Sequence, residues 1–314
     1  MKSLNNGKLI VTLDDIKRYK EDILTILNIG SINVQSVSGN VYYVVPTTET
    51  WYAAFLSARQ ETYTDGTAAI RGDAGNGLQI QAAIDSCVAK RGDKVVVFGS
   101  YTLTNPLLLN KEGMTLCGMN PNNTTTGGQT SITLAQGSGA GGTGVGALAA
   151  LNISKSKITI ENLRITATHV DYPWGIQSLT NVNSQLCIRN VYVLVNGGNT
   201  GTALKFTTAA SGSMFENLRL YGGASSKMNQ GILFNAGSAK CHFKNIYIGN
   251  TEGQGIYNAG SVDDIYENIV IESTCATGTE ITGATSCIIN SRNFATAEGV
   301  STAKQANVLV DGEN

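Results

Sequence analysis

The chain has 314 residues and a net charge of −1, from 22 Lys and Arg against 23 Asp and Glu, and 14 % of its residues are charged. So even a balance excludes a nucleic-acid partner, which would need a basic face. Charge well below the usual quarter, with 36 Gly and 4 Pro, suits stacked strands joined by tight turns. A solenoid can grow along its axis without a larger spherical core, so one elongated body is favoured over two ordinary domains.

The first residues, MKSLNNGKLIVTLDDIKRYKEDIL, carry charges every few positions and hold no apolar core of a secretory signal. No uninterrupted apolar run approaches the length of a membrane span. The protein is therefore expected to be made and kept in the cytosol, or to leave by lysis or a leaderless route, without membrane insertion. Residues 12–29 read as a helix, with Thr12 and Asp15 as its cap. Ile16, Tyr19, Ile23 and Ile26 continue a stripe from Leu13 at coiled-coil-like spacing, compatible with a trimer seam. Residues 31–70 hold two strand-like runs, INVQSV and VYYVV, then Trp51, Tyr52, Phe55 and Tyr63.

Residues 78–109 give a short helix, a turn, a β-branched strand, a glycine turn and another strand. A stack of coils ends in bare backbone and apolar side chains, and an amphipathic helix over the first coil shields that end. Ile80, Ala83, Ile84 and Cys87 are its covering face. The glycine- and threonine-rich runs at 122–130 and 141–151 read as outer loops.

From residue 160 onward one pattern recurs. ITIENLRI, LCIRNVYV, SMFENLRL, CHFKNIYI, DIYENIVI and a degenerate SCIINSRN place Asn162, Asn190, Asn217, Asn245, Asn268 and Asn290 at intervals of 22 to 28 residues, the mark of a stacked architecture. Asparagine tolerates the left-handed conformation that a sharp turn between strands requires. If coils stack at roughly 4.8 Å, the amides hydrogen-bond as a ladder. Two residues before each lies a large inward side chain: Ile160, Ile188, Phe215, Phe243, Tyr266 and Ile288. One and three after lie alternating aliphatic residues. A second strand starts each coil at Gly175-Ile176, Ala203-Leu204, Gly231-Ile232 and Gly255-Ile256.

With IQAAID at 80–85 as a capping helix and VVVFGSYTL at 95–103 as first-coil strands, the chain resembles the pectate-lyase-like right-handed parallel β-helix superfamily, particularly its phage tailspike and virion-appendage members. The resemblance covers about residues 75–295 and implies an all-β solenoid with a capping helix over 75–314, preceded by a small attachment or oligomerisation region over 1–74.

Chemical motifs are sparse. Asp263-Asp264 is the tandem carboxylate pair of the ladder region, and paired acids cleave glycans. The glycine-histidine-glycine turn and arginine-x-lysine element of polygalacturonase-like members are absent, as is the aspartate cluster of calcium-dependent lyases. The pair is read as a solvated turn, and no metal or cofactor is expected. His242 reads as a ladder filler. His169, Asp171, Tyr172 and Trp174 crowd one loop, a candidate sugar platform. Two Arg-Gly-Asp triplets, ending at Asp73 and Asp93, read as polar turns without adhesive role. The six cysteines, Cys187, Cys241 and Cys287 among them, read as buried and reduced.

Two columns flank the ladder. Glu161, Arg189, Glu216, Lys244 and Glu267 alternate in sign and fix coil order. Arg164, Tyr192, Arg219, Tyr247, Val270 and Arg292 are rich in interface residue types and form the candidate glycan or subunit surface. Together these features predict a virion surface appendage, a tail spike, fibre or head decoration assembled in the host cytoplasm. It is expected to be a homotrimer joined to other virion proteins through its N-terminal region and touching host-surface polysaccharide. The alternative is a polysaccharide depolymerase on the same scaffold, although the recognised hydrolase and lyase motifs are missing.

Overall fold

The computed structural model describes residues 39–47, 68–103, 105–119, 130–134, 149–168, 174–178, 183–196, 201–207, 210–224, 226–281, 286–293, 295 and 304–306. The expected helix over 12–29, INVQSV, the aromatic stretch from Trp51 to Tyr63, and His169, Asp171 and Tyr172 lie outside the described residues.

The chain from Gly39 onward is one compact unit, a right-handed parallel β-helix. Its first sheet runs in the spatial order Ile70–Asp73, Val41–Pro46, Lys94–Val97, Thr115–Cys117, Thr159–Ala167, Cys187–Val195, Met214–Gly222, His242–Gly249, Ile265–Ile271, Cys287–Ile289 and Lys304–Ala306. A second sheet stacks Leu107–Leu109, Ala149–Ile153, Trp174–Ser178, Thr202–Phe206, Gln230–Phe234, Gln254–Asn258 and Thr277–Ile281, and a third stacks two-residue strands from Asn183–Ser184 to Ser261–Val262. The start of the first sheet differs from expectation. Val41–Pro46 pairs with Lys94–Val97 on one edge and Ile70–Asp73 on the other, so the sheet continues past the 74/75 boundary. Ala149, Ala150 and Leu151, expected in a loop, are buried strand residues.

All six ladder asparagines have positive φ, between 48° and 58°. Four of the amides donate Nδ2 to the Oδ1 of the coil before: Asn190 to Asn162 at 3.1 Å, Asn217 to Asn190 at 3.0 Å, Asn245 to Asn217 at 2.9 Å and Asn268 to Asn245 at 3.0 Å. The asparagine interrupts the period-two alternation, so the residue before it and the asparagine both face outward while Ile160, Ile188, Phe215, Phe243 and Tyr266 face in. Replacing Asn245 by Val imposes the left-handed region on a β-branched residue and removes two ladder bonds, at roughly 1–3 kcal/mol. Glycine accepts the same φ, so Asn245→Gly is expected to lose less. Thermal melting checks the pair, and a Val variant that melts with the parent rejects the ladder as a structural element.

A second left-handed column lies five residues earlier, at Lys157, Gln185, Gly212, Lys240 and Asp263, with φ from 54° to 59°. At this corner the next residue of each coil turns inward, as Ile158, Leu186, Ser213, Cys241, Asp264 and Ser286 do. Its N–H is met by the polar side chain one coil further on: Leu186 by Ser213 Oγ at 3.0 Å, Cys241 by Asp264 Oδ1 at 2.8 Å and Asp264 by Ser286 Oγ at 3.1 Å. Buried backbone donors need such acceptors.

Inside, Phe215, Phe243 and Tyr266 stack at 4.8 and 4.6 Å, and Phe206 stacks on Phe234 at 4.6 Å. The two piles meet edge to face, the geometry that aromatic quadrupoles favour. The cap is the helix Leu78–Ser86, with Ile80, Ala83 and Ile84 fully buried and Cys87 nearly so. The Asp73 carboxylate caps its N-terminus by accepting the N–H groups of Gly75, Asn76, Gly77 and Gln79 at 2.7 to 3.0 Å.

The two Arg-Gly-Asp triplets depart from the polar-turn reading. Arg71–Asp73 is strand rather than turn, and Asp73 and Asp93 are both fully buried. Asp93 accepts from Arg91 Nε at 2.6 Å, and from the N–H of Asn40 and of Val88. In the charge stripe, Glu161 is buried between Arg189, at 2.6 Å, and Lys94, at 3.0 Å, while Glu267 pairs with Lys244 at 3.2 Å. Burial pushes the Glu161 carboxyl upward, but hydrogen bonds from Arg189 and Lys94 outweigh it and hold the group below the usual carboxylate range. All six cysteines are free thiols; Cys187 and Cys287 depart from expectation in being half-buried on the outer face.

Candidate functional site

The strand bends at each ladder asparagine, and the outer side of that bend is a groove of about 870 Å³. Asn190, Asn217, Asn245, Asn268 and Asn290 line one side, and Arg219, Tyr247, Val270 and Arg292 line the other. The second set stands two residues past the ladder, where alternation points side chains outward, and the register stacks them directly: Arg219 opposite Tyr247, Tyr247 opposite Val270, Val270 opposite Arg292. The lining holds two arginines and no carboxylate. The groove is therefore locally positive on a chain of net charge −1.

The rest of the predicted column lies beyond the groove's end. Arg164 sits 5.0 Å from the ring centroid of Tyr192, a cation–π contact. Tyr192 stacks on Tyr221 at 5.9 Å and Tyr221 on Tyr247 at 5.8 Å. The tyrosines thus cover one another's faces and present edges and hydroxyls. Glu272 anchors the pile: its Oε1 accepts from the hydroxyls of Tyr247 at 2.5 Å and Tyr221 at 3.3 Å, and its Oε2 from Thr274 at 3.0 Å. A Cβ on Gly249 would stand 2.3 Å from Glu272 Oε2 and 2.7 Å from the Tyr221 ring, so only glycine leaves room for this cluster. The hydrogen bond to Glu272 raises the Tyr247 phenol above its ordinary range, and burial followed by the Glu272 charge raises Tyr221 further. Both remain protonated donors at neutral pH.

Tyr221, Gly249 and Glu272 were not among the sequence candidates. They occupy the position four after Asn217, Asn245 and Asn268, with the same outward parity as the column two after, and that parity was the available signal.

The other candidates are elsewhere. Trp174 opens a strand of the second sheet, with Lys205 Nζ 3.3 Å from its ring centroid; burial lowers the Lys205 amine. Trp174 is thus not brought to the Arg219–Tyr247 groove. A second amide chain crosses that sheet, from Thr202 through Gln230 and Gln254 to Glu280. The tandem acids part company: Asp263 is exposed at the left-handed corner, whereas Asp264 is 1 % exposed inside the coil. The solvated-turn reading therefore fails for Asp264, and the two carboxylates share no outer face on which they could flank a glycosidic bond. His242 faces outward, its Nε2 3.1 Å from Glu267 Oε2. Among the described residues no group of three or more His, Cys, Asp or Glu is placed to hold a metal ion, and no helix is long and apolar enough to cross a membrane.

No protein-family model and no curated protein matches the chain. Among solved structures it is similar to a pectin methylesterase in complex with a hexasaccharide, at 11 % identity and a TM-score of 0.44 over 88 % of this chain and 92 % of that one. It is also similar to the rice weevil pectin methyl esterase, at 11 % identity and a TM-score of 0.44 over 86 % of this chain and 99 % of that one. The likeness is one of chain path and brings no chemistry with it.

Proposed function

We propose that the chain is a polysaccharide-contacting β-helix that binds a glycan in the groove along its asparagine ladder. The observation that carries this reading is the lining itself. Arg219 and Arg292 offer charged donors, Tyr247 an anchored hydroxyl and edge, and the ladder a row of amides, all converging on one concavity. Convergent polar groups in a preformed cleft are what glycan hydroxyls require. The virion-appendage setting, a homotrimer meeting host-surface polysaccharide, belongs to the same proposal and rests on the cap, the ladder and the stripe from Ile16 to Ile26.

Calorimetric titration with linear oligosaccharides tests the binding. A charge-assisted hydrogen bond contributes about 1.5–3 kcal/mol, so Arg219→Ala is expected to weaken binding roughly ten- to a hundredfold, while Asp263→Asn leaves it unchanged. Equal affinity of Arg219→Ala and parent rejects the groove as the site. Cleavage is the second reading, favoured by Glu272, whose carboxylate meets the Tyr247 hydroxyl at the groove's margin. New reducing ends or unsaturated products on incubation with a bound polysaccharide would establish it.

A further inference from the structure

We infer that the asparagine ladder is a ligand-binding element as well as a structural one: its exposed amides recognise a linear glycan laid along the solenoid axis, in extended form, with one sugar ring per coil. This rests on the groove being the glycan site and names how that site selects its ligand.

An asparagine amide has two N–H donors and two acceptor lone pairs. The ladder uses one N–H of each amide, in the bonds from Asn217 to Asn190, Asn245 to Asn217 and Asn268 to Asn245. These three side chains are exposed and line the groove, so the second N–H of each is presented to whatever occupies it. By contrast Asn162, half-buried at the start of the ladder, does the same backbone duty without lining the groove.

The row has a fixed pitch. Successive ladder partners are 27, 28 and 23 residues apart, yet each pair is hydrogen-bonded, because outer loops absorb the difference. The five lining asparagines therefore span four steps of roughly 4.8 Å, or about 19 Å. A pyranose joined through equatorial bonds advances by a similar length per ring. Such a chain meets one amide donor at each ring, whereas a helical or densely branched glycan falls out of step after one or two coils. Arg219 and Arg292 stand on the facing side three coils apart and hold ring substituents.

The test uses calorimetric titration with the equatorially linked cello-, xylo- and chito-oligosaccharides from disaccharide to octasaccharide, together with three glycine variants that keep positive φ. Affinity is expected to rise with each added ring to the pentasaccharide and then level. Asn245→Gly and Asn268→Gly should each weaken binding roughly three- to tenfold, and Asn162→Gly, which loses the ladder bond from Asn190 but removes no amide that lines the groove, should not. If Asn162→Gly weakens binding as much as Asn245→Gly, the ladder acts only by stiffening the coils and the inference fails. If Asn245→Gly binds as the parent does while Arg219→Ala is impaired, the inference fails and the groove reading stands. If Arg219→Ala is also unimpaired, or no oligosaccharide of the panel binds, both are rejected.

Discussion

Asp264→Ala is expected to destabilise the C-terminal coils by about 3–5 kcal/mol, the larger effect of any change at the tandem acids. The carboxylate is buried and accepts four donors: the Cys241 N–H at 2.8 Å, the Ser261 hydroxyl at 2.6 Å, the Ser238 hydroxyl and the Asn258 amide at 3.5 Å. Asn258 also donates to the Tyr266 hydroxyl at 2.8 Å, tying the network to the aromatic pile. Each buried donor stripped of its acceptor costs about 1–3 kcal/mol, and partial rearrangement among the serines brings the total to the stated range. Asp263→Gly, one residue away, removes an exposed side chain from a φ of 54° and is expected to be neutral or slightly stabilising. Denaturant unfolding of the two variants checks this. An Asp264→Ala protein within about 1 kcal/mol of the parent, on the scale of a single net hydrogen bond, rejects the network as described.

Phe243→Ala is expected to cost about 3–5 kcal/mol and to do so locally. The ring is fully buried, with Phe215 on one face at 4.8 Å, Tyr266 on the other at 4.6 Å and Phe234 at its edge at 5.7 Å. Truncation empties a slot between two coils, and a solenoid is held by nearest-neighbour interfaces. Both interfaces of the Phe243 coil weaken together. Hydrogen exchange should show lost protection in His242–Gly249 and Ile265–Ile271, with Lys94–Val97 and Thr115–Cys117 protected as before. Uniform loss along the whole sheet would instead mean that the coils unfold as one cooperative unit.

The ladder was legible because one residue type recurs at one position, and the reason for asparagine there, positive φ plus an amide pair, is local. The inward columns and the cap helix were legible from alternation and amphipathicity. The second left-handed corner was not: Lys157, Gln185, Gly212, Lys240 and Asp263 share a backbone conformation but no side-chain chemistry. For the same reason Asp264 read as a surface acid, since its partners Ser238, Asn258, Ser261 and Ser286 come from three different coils and only the stacking unites them. Of the groove, the Arg219, Tyr247 and Arg292 column was visible from spacing, whereas Glu272 joins Tyr221 and Tyr247 through the space left by Gly249. The place of Val41–Pro46 between two strands that follow it in sequence was hidden because pairing order is not written in either strand.

That pairing order has a consequence for synthesis. Each coil after the first of the ladder closes against a partner completed 22 to 28 residues before, so each docks onto an edge that already exists when it emerges from the ribosome. Val41–Pro46 has no such edge. Asn40 meets Asp93 across 53 residues, which at 5–20 residues per second is roughly 3–10 s of translation. Ile70–Asp73 reaches one edge after 27 residues, but the other edge, with its tyrosines and valines, stays open for the whole interval, and a holdase that recognises short apolar strands has its opening there.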